Sequence, residues 1–270
     1  MAAPRRDTRG IVDASGLFAR VDFRRRLPAP ELRRYVESYW LIDWDLSEPY
    51  ASHVVPHPSV NVVFQRFGTA PPWGEVAGIG LELFTQKLEA DGRVCGVKFR
   101  PGGFRPFAPA WPVSEWSGRR VPIAEVLPGT DAGVVAAILD PPEEDARVAA
   151  LDSYLLGLGA RPDPQADEAM RVVGLLGADR TIRRAAELAS AAGLSVRSLQ
   201  RLFATYVGVG PKWVILRHRI HEALERAEAE EELDWAGLAA ELGYSDQAHL
   251  VRDFTATVGV PPTAYARAVQ

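Results

Sequence analysis

Cysteine is nearly absent from this 270-residue sequence, which contains only Cys95. A single cysteine excludes a framework of disulfide bonds and favours a reducing compartment. Apolar runs long enough to span a bilayer are absent too, and no apolar segment follows the first residues as it would in a secretory signal peptide. The sequence therefore predicts a cytoplasmic protein without a membrane span.

Patterns typical of enzymes are missing as well. The sequence has neither a glycine-rich phosphate loop nor a serine nucleophile elbow. His53 and His57 are four residues apart, but neighbouring prolines break any helix that would bring both rings to one metal ion. We interpret them as surface or hydrogen-bonded histidines, and Cys95 as an inert residue of an apolar strand. The sequence therefore predicts no catalytic residues, no metal ion and no cofactor.

Length and composition predict two domains, because 270 residues exceed one average domain and 47% of them are hydrophobic. Aromatic and β-branched runs at 35–44, 61–67 and 94–99 alternate with Gly and Pro, which is typical of a small barrel or sandwich. Beyond Pro128, Ala- and Leu-rich segments have helical spacing. These predicted helices cover 132–139, 146–158 and 165–176. The predicted regions are a flexible arm (1–30), a β-rich domain (31–128), a helical linker (129–178) and a C-terminal domain (179–270).

One pattern occurs twice in the C-terminal domain. Each copy predicts a helix, a glycine turn, a second helix with a polar N-cap, a glycine stop and a proline restart. Two such copies predict tandem helix-turn-helix units, which indicates double-stranded DNA as the partner. The matched positions are Gly193 and Gly243, Ser195 and Ser245, Leu199 and Leu250, Phe203 and Phe254, Gly208 and Gly259, and Pro211 and Pro262.

The second helix of each unit combines an apolar side with a polar side. In the first unit, Val196, Leu199 and Phe203 are expected to face the core together with Leu202. Arginine can pair with guanine and glutamine with adenine through two hydrogen bonds each, so the opposite side suits a major groove. The candidate DNA-contacting residues are Arg197, Ser198, Gln200 and Arg201 in the first unit, and Gln247, His249 and Arg252 in the second.

Charge is distributed unevenly between the two units. Residues 180–219 contain eight Arg or Lys and one Glu, whereas residues 220–270 contain three basic and ten acidic residues. We expect the first unit to supply most of the attraction to phosphates and the acidic run at 228–234 to lie away from the duplex. A long amphipathic helix from Pro211 to about Ala229 is expected to set the two recognition helices about 34 Å apart, one turn of DNA.

The region from Thr181 to Ala266 resembles the C-terminal DNA-binding domain of AraC/XylS-type transcriptional regulators. The resemblance rests on 199–203 with Gly208 and Pro211 in the first unit. In the second unit it rests on the following residues: 242–247, Arg252, Phe254, Gly259, Pro261 and Tyr265. It implies seven helices, recognition helices near 196–206 and 246–257, and the DNA contacts named above except that of Ser198.

The N-terminal region resembles the β-rich sensor domains of one subgroup of these regulators, through 39–40, 57–61 and 97–103. The resemblance implies a small cupin-like barrel and names no ligand. The fold class is therefore expected to be α+β, with this sensor domain, a helical linker and an all-α tandem helix-turn-helix domain. Candidate residues for an effector pocket are Trp40, Trp44, His57, Phe64 and Arg100, although a place in the core is favoured for most of the aromatic ones.

Together these patterns predict a transcription regulator that binds double-stranded promoter DNA under the control of a small-molecule effector. RNA polymerase and a second copy of the chain are further candidate partners. One alternative is a non-enzymatic module that binds another protein through its helical repeat. Another is a cupin-like metalloenzyme fused to a DNA-binding domain, which would need a cluster of metal-binding histidines. Alkylation-repair proteins also carry this DNA-binding domain, but they need several reactive cysteines or a cysteine-histidine active-site motif, and this chain has neither.

Overall fold

The computed structural model describes residues 10–230 and 232–269. Residues 1–9 of the expected flexible arm lie outside this range. Six antiparallel strands form one sheet, in the order β1-β2-β5-β3-β4-β6. The strands are β1 (Asp22–Arg26), β2 (Val36–Val54), β3 (Asn61–Phe67), β4 (Trp73–Ala77), β5 (Phe84–Phe99) and β6 (Arg120–Pro122).

The β-rich domain is confirmed, but its described strands do not close into a barrel. The edge strands β1 and β6 are five and three residues long, and neither pairs with the other. The central strands β2 and β5 are longer than expected, with 19 and 16 residues, and they pair along almost their whole length. Their polar distal halves lack the apolar alternation that marks a strand in the sequence.

Both faces of the sheet are covered, because side chains alternate along each strand. Tyr39, Leu41 and Phe64 lie in the larger core on one face. Trp44 lies on the opposite face in a smaller core, where it is joined by the N-terminal residues Ile11, Leu17 and Val21. Residues 10–30 are therefore folded onto the sheet through β1 and α1 (Ala14–Phe18), which corrects the expectation of a flexible arm for this part.

The sheet domain is followed by helices, and the three predicted helices lie close to their predicted bounds. The helices are α2 (Ile123–Val126), α3 (Ala132–Leu139), α4 (Glu144–Leu158) and α5 (Pro164–Ala178). A buried ion pair attaches α4 to the sheet, since Arg147 is 1% exposed and donates to both carboxylate oxygens of Asp43 at 3.1 and 2.9 Å. Burial alone would raise the pKa of Asp43, but hydrogen bonds from Arg147 and Arg93 outweigh it and lower the pKa.

The C-terminal region is entirely helical apart from its turns. Its helices are α6 (Ala185–Ala192), α7 (Val196–Leu202), a π-helical turn (Phe203–Val207), α8 (Pro211–Ala229), α9 (Trp235–Glu241), α10 (Gln247–Val258) and α11 (Pro262–Val269). Helix α5 packs against α6 and α8. The described part of the predicted domain 179–270 contains six α-helices, one fewer than the resemblance implies, because α5 lies in the predicted linker. The domain boundary at residue 179 stays a prediction.

None of the helices in the described ranges has both the length and the apolar character needed to cross a membrane. The two halves of the chain pack directly on each other. Val55 of the N-terminal half is buried in the same core as Ile220 and Leu224 of α8. His221 of α8 stacks on His57, with ring centroids 3.7 Å apart, and its Nε2 donates to the carbonyl oxygen of Pro56 at 3.1 Å. The connector helix is therefore part of the interface between the halves.

Acid is expected to weaken this interface through His221. Burial lowers its pKa from 6.5 to about 4, so the folded chain stays neutral there while the unfolded chain takes up a proton below pH 6.5. The His221 contribution to the free energy of unfolding should fall by about 3 kcal/mol as pH drops through this window. Urea unfolding at several pH values should show this loss in the wild type. The His221→Gln variant, which can still donate to Pro56, should lack that part of the pH dependence; an identical pH profile in both proteins would contradict the assignment.

Candidate nucleic-acid interface

The first helix-turn-helix unit consists of α6, a glycine turn and α7. Gly193 has φ +71°, a conformation that glycine adopts without strain, and the turn is closed by Leu194 N donating to Ala189 O at 2.8 Å. Ser195 caps α7 as expected, because its Oγ accepts from the backbone N–H of Ser198 at 3.1 Å. Helix α6 starts at Ala185.

Helix α7 presents a polar side to solvent. Leu199 and Phe203 are fully buried, which fixes the opposite side of the helix against the core. Arg197, Gln200 and Arg201 are exposed, and none of them has a hydrogen bond or ion pair within the described residues. The structure therefore brings these three candidates together on one accessible surface.

Ser198 and Val196 depart from this simple division. Ser198 is half-buried, and its Oγ lies 3.0 Å from Ser195 Oγ, so its hydroxyl belongs to the helix cap. Val196 was expected in the core but is 41% exposed. It stands in the first turn of the helix, where the side chain points past the edge of the core instead of into it. An apolar side chain therefore lies beside Arg197 on the accessible surface.

The recognition segment continues beyond α7 as a π-helical turn over Phe203–Val207. This turn accounts for the predicted extent of the recognition helix to about residue 206. Gly208 ends it with φ +94°, and Gly208 N donates to Phe203 O at 2.8 Å. Tyr206 and Val207 are buried, so the turn belongs to the packed part of the unit.

The second unit repeats the arrangement with a stronger cap. Asp246, rather than Ser245, caps α10, and its Oδ1 accepts from the backbone N–H of His249 at 2.8 Å. This hydrogen bond lowers the pKa of Asp246. Leu250 and Phe254 are fully buried, in the places of Leu199 and Phe203.

The candidate contacts of the second unit differ in accessibility. Gln247 and Arg252 are exposed. His249 is partly exposed, and its ring nitrogens lie 3.2 Å from Ser245 Oγ and 3.5 Å from Asp253 Oδ2. DNA would compete with these neighbours for the His249 ring, and the Asp253 carboxylate would repel a nearby phosphate.

Several cations of the first unit are already engaged. Arg180 forms an ion pair with Glu222 at 3.0 Å. Arg217 is 7% exposed and lies over the Trp213 ring at 4.6 Å, and burial lowers its pKa to about 10. The net positive charge of residues 180–219 therefore overstates the charge available to DNA. Exposed basic side chains that have no ion pair or hydrogen bond in the described ranges include Arg197, Arg201 and Lys212.

Arg183 and Arg219 connect the two units directly, which the sequence did not indicate. Arg219 Nη2 donates to the carbonyl oxygen of Arg183 at 2.7 Å, and Arg183 Nη2 donates to the carbonyl oxygen of Glu241 at 3.0 Å. Arg219 also lies over the Tyr244 ring at 5.5 Å. Hydrogen bonds therefore join the start of the first unit, the middle of α8 and α9 of the second unit.

The five candidate residues for an effector pocket do not surround one cavity. Phe64 lies in the core on one face of the sheet, whereas Trp40 and Trp44 lie on the opposite face. His57 is at the interface with α8, and Arg100 is exposed. Strand alternation explains why Phe64 is separated from Trp40 and Trp44, because successive side chains of a strand point to opposite faces of the sheet. The location of an effector site stays a prediction.

The remaining candidates have ordinary structural surroundings. His53 Nδ1 is hydrogen-bonded to Thr85 Oγ1 at 2.9 Å, as expected for a hydrogen-bonded histidine. Cys95 is fully buried, and burial raises its pKa to about 11, so the thiol is poorly reactive. No group of three or more potential metal ligands occurs within residues 10–230 and 232–269.

Two family models match the chain. Residues 24–122 match a domain of unknown function (DUF6597), and residues 188–268 match a helix-turn-helix domain. A comparison with curated proteins gave no match.

Among solved structures, the chain is similar to ToxT from Vibrio cholerae. One ToxT structure is 11% identical with a TM-score of 0.46, and the match covers 85% of this chain and 97% of that chain. Wild-type ToxT with a bound unsaturated fatty acid is 13% identical with a TM-score of 0.43, and the match covers 84% and 94%. The helix-turn-helix match coincides with the two capped units described above, so the C-terminal region is similar to helix-turn-helix domains in both sequence and structure.

Proposed function

We propose that both units bind one specific DNA site, with α7 and α10 entering successive major grooves. The observation that carries this proposal is the exposed group of Arg197, Gln200 and Arg201 on a helix whose other side is fixed in the core. Arginine can form two hydrogen bonds to guanine O6 and N7, and glutamine can do the same with adenine N6 and N7. This group can therefore distinguish base pairs in a major groove.

The connector α8 suits this arrangement. Its 19 residues give a rod about 28 Å long at 1.5 Å per residue, close to one turn of B-form DNA. The hydrogen bonds of Arg183 and Arg219 link the two units through α8. We propose that Gln247 and Arg252, with His249 and Ser198 in lesser roles, add contacts to those of the first unit.

We extend the proposal to control by the N-terminal domain. Its contacts with α8 give a small molecule bound to that domain a route to the recognition helices, since a ligand shifts a protein towards the arrangement it binds better. Action on promoter DNA would take place in the cytoplasm and bring the protein close to RNA polymerase. A site with two-fold symmetry would also require a second copy of the chain.

The decisive experiment is selection of genomic fragments by the purified full-length protein, followed by sequencing of the bound fragments. Enrichment of a shared site with two half-sites on one face of the duplex is expected. Affinity for that site should fall steeply with salt because phosphates anchor the complex. If no fragment is enriched above random DNA, the rival hypothesis of a protein-binding module gains support.

Arg201→Ala should weaken binding to the selected site by about 1–3 kcal/mol if the guanidinium pairs with a guanine. Discrimination should also be relaxed at that base pair. Gel shifts with the wild type, Arg201→Ala and Arg161→Ala should measure the effect. Arg161 is an exposed arginine before α5 and serves as the matched control for lost charge. Equal affinities for the wild type and Arg201→Ala would remove Arg201 from the interface.

Substitutions in the first unit should cost more affinity than the corresponding change in the second. The loss of DNA affinity caused by Arg197→Ala should exceed the loss caused by Arg252→Ala, because Arg252 lies in the acidic second unit, where residues 220–270 include ten acidic residues. Titrations of both variants at two salt concentrations should establish the order. A larger loss for Arg252→Ala would contradict the unequal charge distribution as the cause.

A further inference from the structure

The loop between β4 and β5, residues 78–83, touches the ends of both recognition segments. Gly208 ends the first segment, and a Cβ built on it would lie 3.1 Å from Ile79 Cγ1. Gly259 ends the second, and a Cβ built on it would lie 3.1 Å from Leu83 Cδ2. One short loop of the N-terminal domain therefore lies against the same structural position in each unit.

This loop is firmly attached to the N-terminal domain. Ile79 is fully buried, and its carbonyl oxygen accepts from Gly118 N at 2.8 Å. Gly78 N donates to Arg119 O at 3.0 Å. Residues 78–83 and 113–119 are thus hydrogen-bonded into one piece, which we call the platform.

The platform holds the first unit through a hydrogen bond and close packing. Ser117 Oγ donates to the carbonyl oxygen of Gly208 at 2.6 Å. A Cβ on Gly208 would lie 2.9 Å from Val113 Cγ1, so a larger residue would push the unit away. Glycine is needed here both for φ +94° and for this close approach.

The platform holds the second unit through Leu83. Leu83 is partly buried and packs against the core formed by α8, α9, α10 and α11. Leu81 provides a contrast in the same loop. It is 46% exposed, and it lies 3.2 Å from a Cβ built on Gly118, within the N-terminal domain.

We propose that the platform sets the relative placement of the two recognition helices, so that the N-terminal domain determines which half-site spacing is bound. This inference rests on the proposed function. One base pair of extra spacing moves a half-site by about 3.4 Å and turns it by about 35° around the DNA axis. While the platform holds both units, their recognition helices cannot adapt to a changed half-site spacing. Units released from the platform can adapt to it. Leu83 and Ser117 are the positioning residues.

The first test uses the free protein and needs no DNA. Ala204 and Ala256 are both exposed, and each is replaced by cysteine (Ala204→Cys and Ala256→Cys) to carry a spin label. Double electron–electron resonance between the two labels then reports the distance between the recognition segments. Cys95 is buried and does not compete for the label. The distance distribution should be narrow in the labelled parent and in its Leu81→Ala control. It should broaden or shift with Leu83→Ala and with Ser117→Ala, which removes a single hydroxyl and is expected to fold. A distribution that neither substitution changes would overturn the proposal.

The second test measures half-site spacing on the selected DNA site. The wild type and Leu81→Ala should lose at least about tenfold in affinity when one base pair is inserted or removed, comparable to one mismatched base pair. Leu83→Ala and Ser117→Ala should lose markedly less. An equal loss of affinity at every spacing would show that these residues do not set spacing and would also overturn the proposal. Failure of the wild type to select any site, with a distance distribution that still responds, would instead count against the proposed function.

Discussion

The burial of Leu199 and Phe203 is the constraint on which the candidate interface depends. These two side chains are fully enclosed, so they fix the rotation of α7 about its own axis. Every polar side chain on the other side is then placed by helical geometry alone. Leu250 and Phe254 do the same for α10. Two pairs of apolar residues therefore determine which side chains of α7 and α10 are accessible.

The repeat predicts this arrangement well because its determinants are local. Glycine turns, caps and apolar spacing act within one or two turns of helix, and the predicted strand 61–67 and helix 132–139 coincide with β3 and α3. Predictions failed where burial depends on distant residues. Val196 has the spacing of a core residue but lies beyond the edge of the core, and residues 10–30 resemble a loose arm until the sheet offers them a surface.

Two kinds of contact had no sequence signal: those between the two units, and those of the units with the N-terminal domain. Arg183 meets Glu241 across 58 positions, and Ser117 meets Gly208 across 91. Such pairs follow from the assembled fold, and a hydroxyl donating to a backbone carbonyl oxygen leaves no pattern in either segment. The candidate effector residues show the reverse problem. Their residue types suit a pocket, but strand alternation distributes them over two faces of the sheet and an interface.

The stacked histidines have a consequence for how freely such halves can be exchanged between proteins. His221 is buried by the N-terminal domain and satisfied by the Pro56 carbonyl oxygen, while Val55 completes the core around α8. A chimera that joins the C-terminal helices to a foreign N-terminal domain must supply both a hydrogen-bond acceptor for His221 and an apolar side chain in the place of Val55. Without these two groups, apolar side chains of α8 would be exposed to water. Recombination of the two halves in evolution or in the laboratory is therefore constrained at this interface.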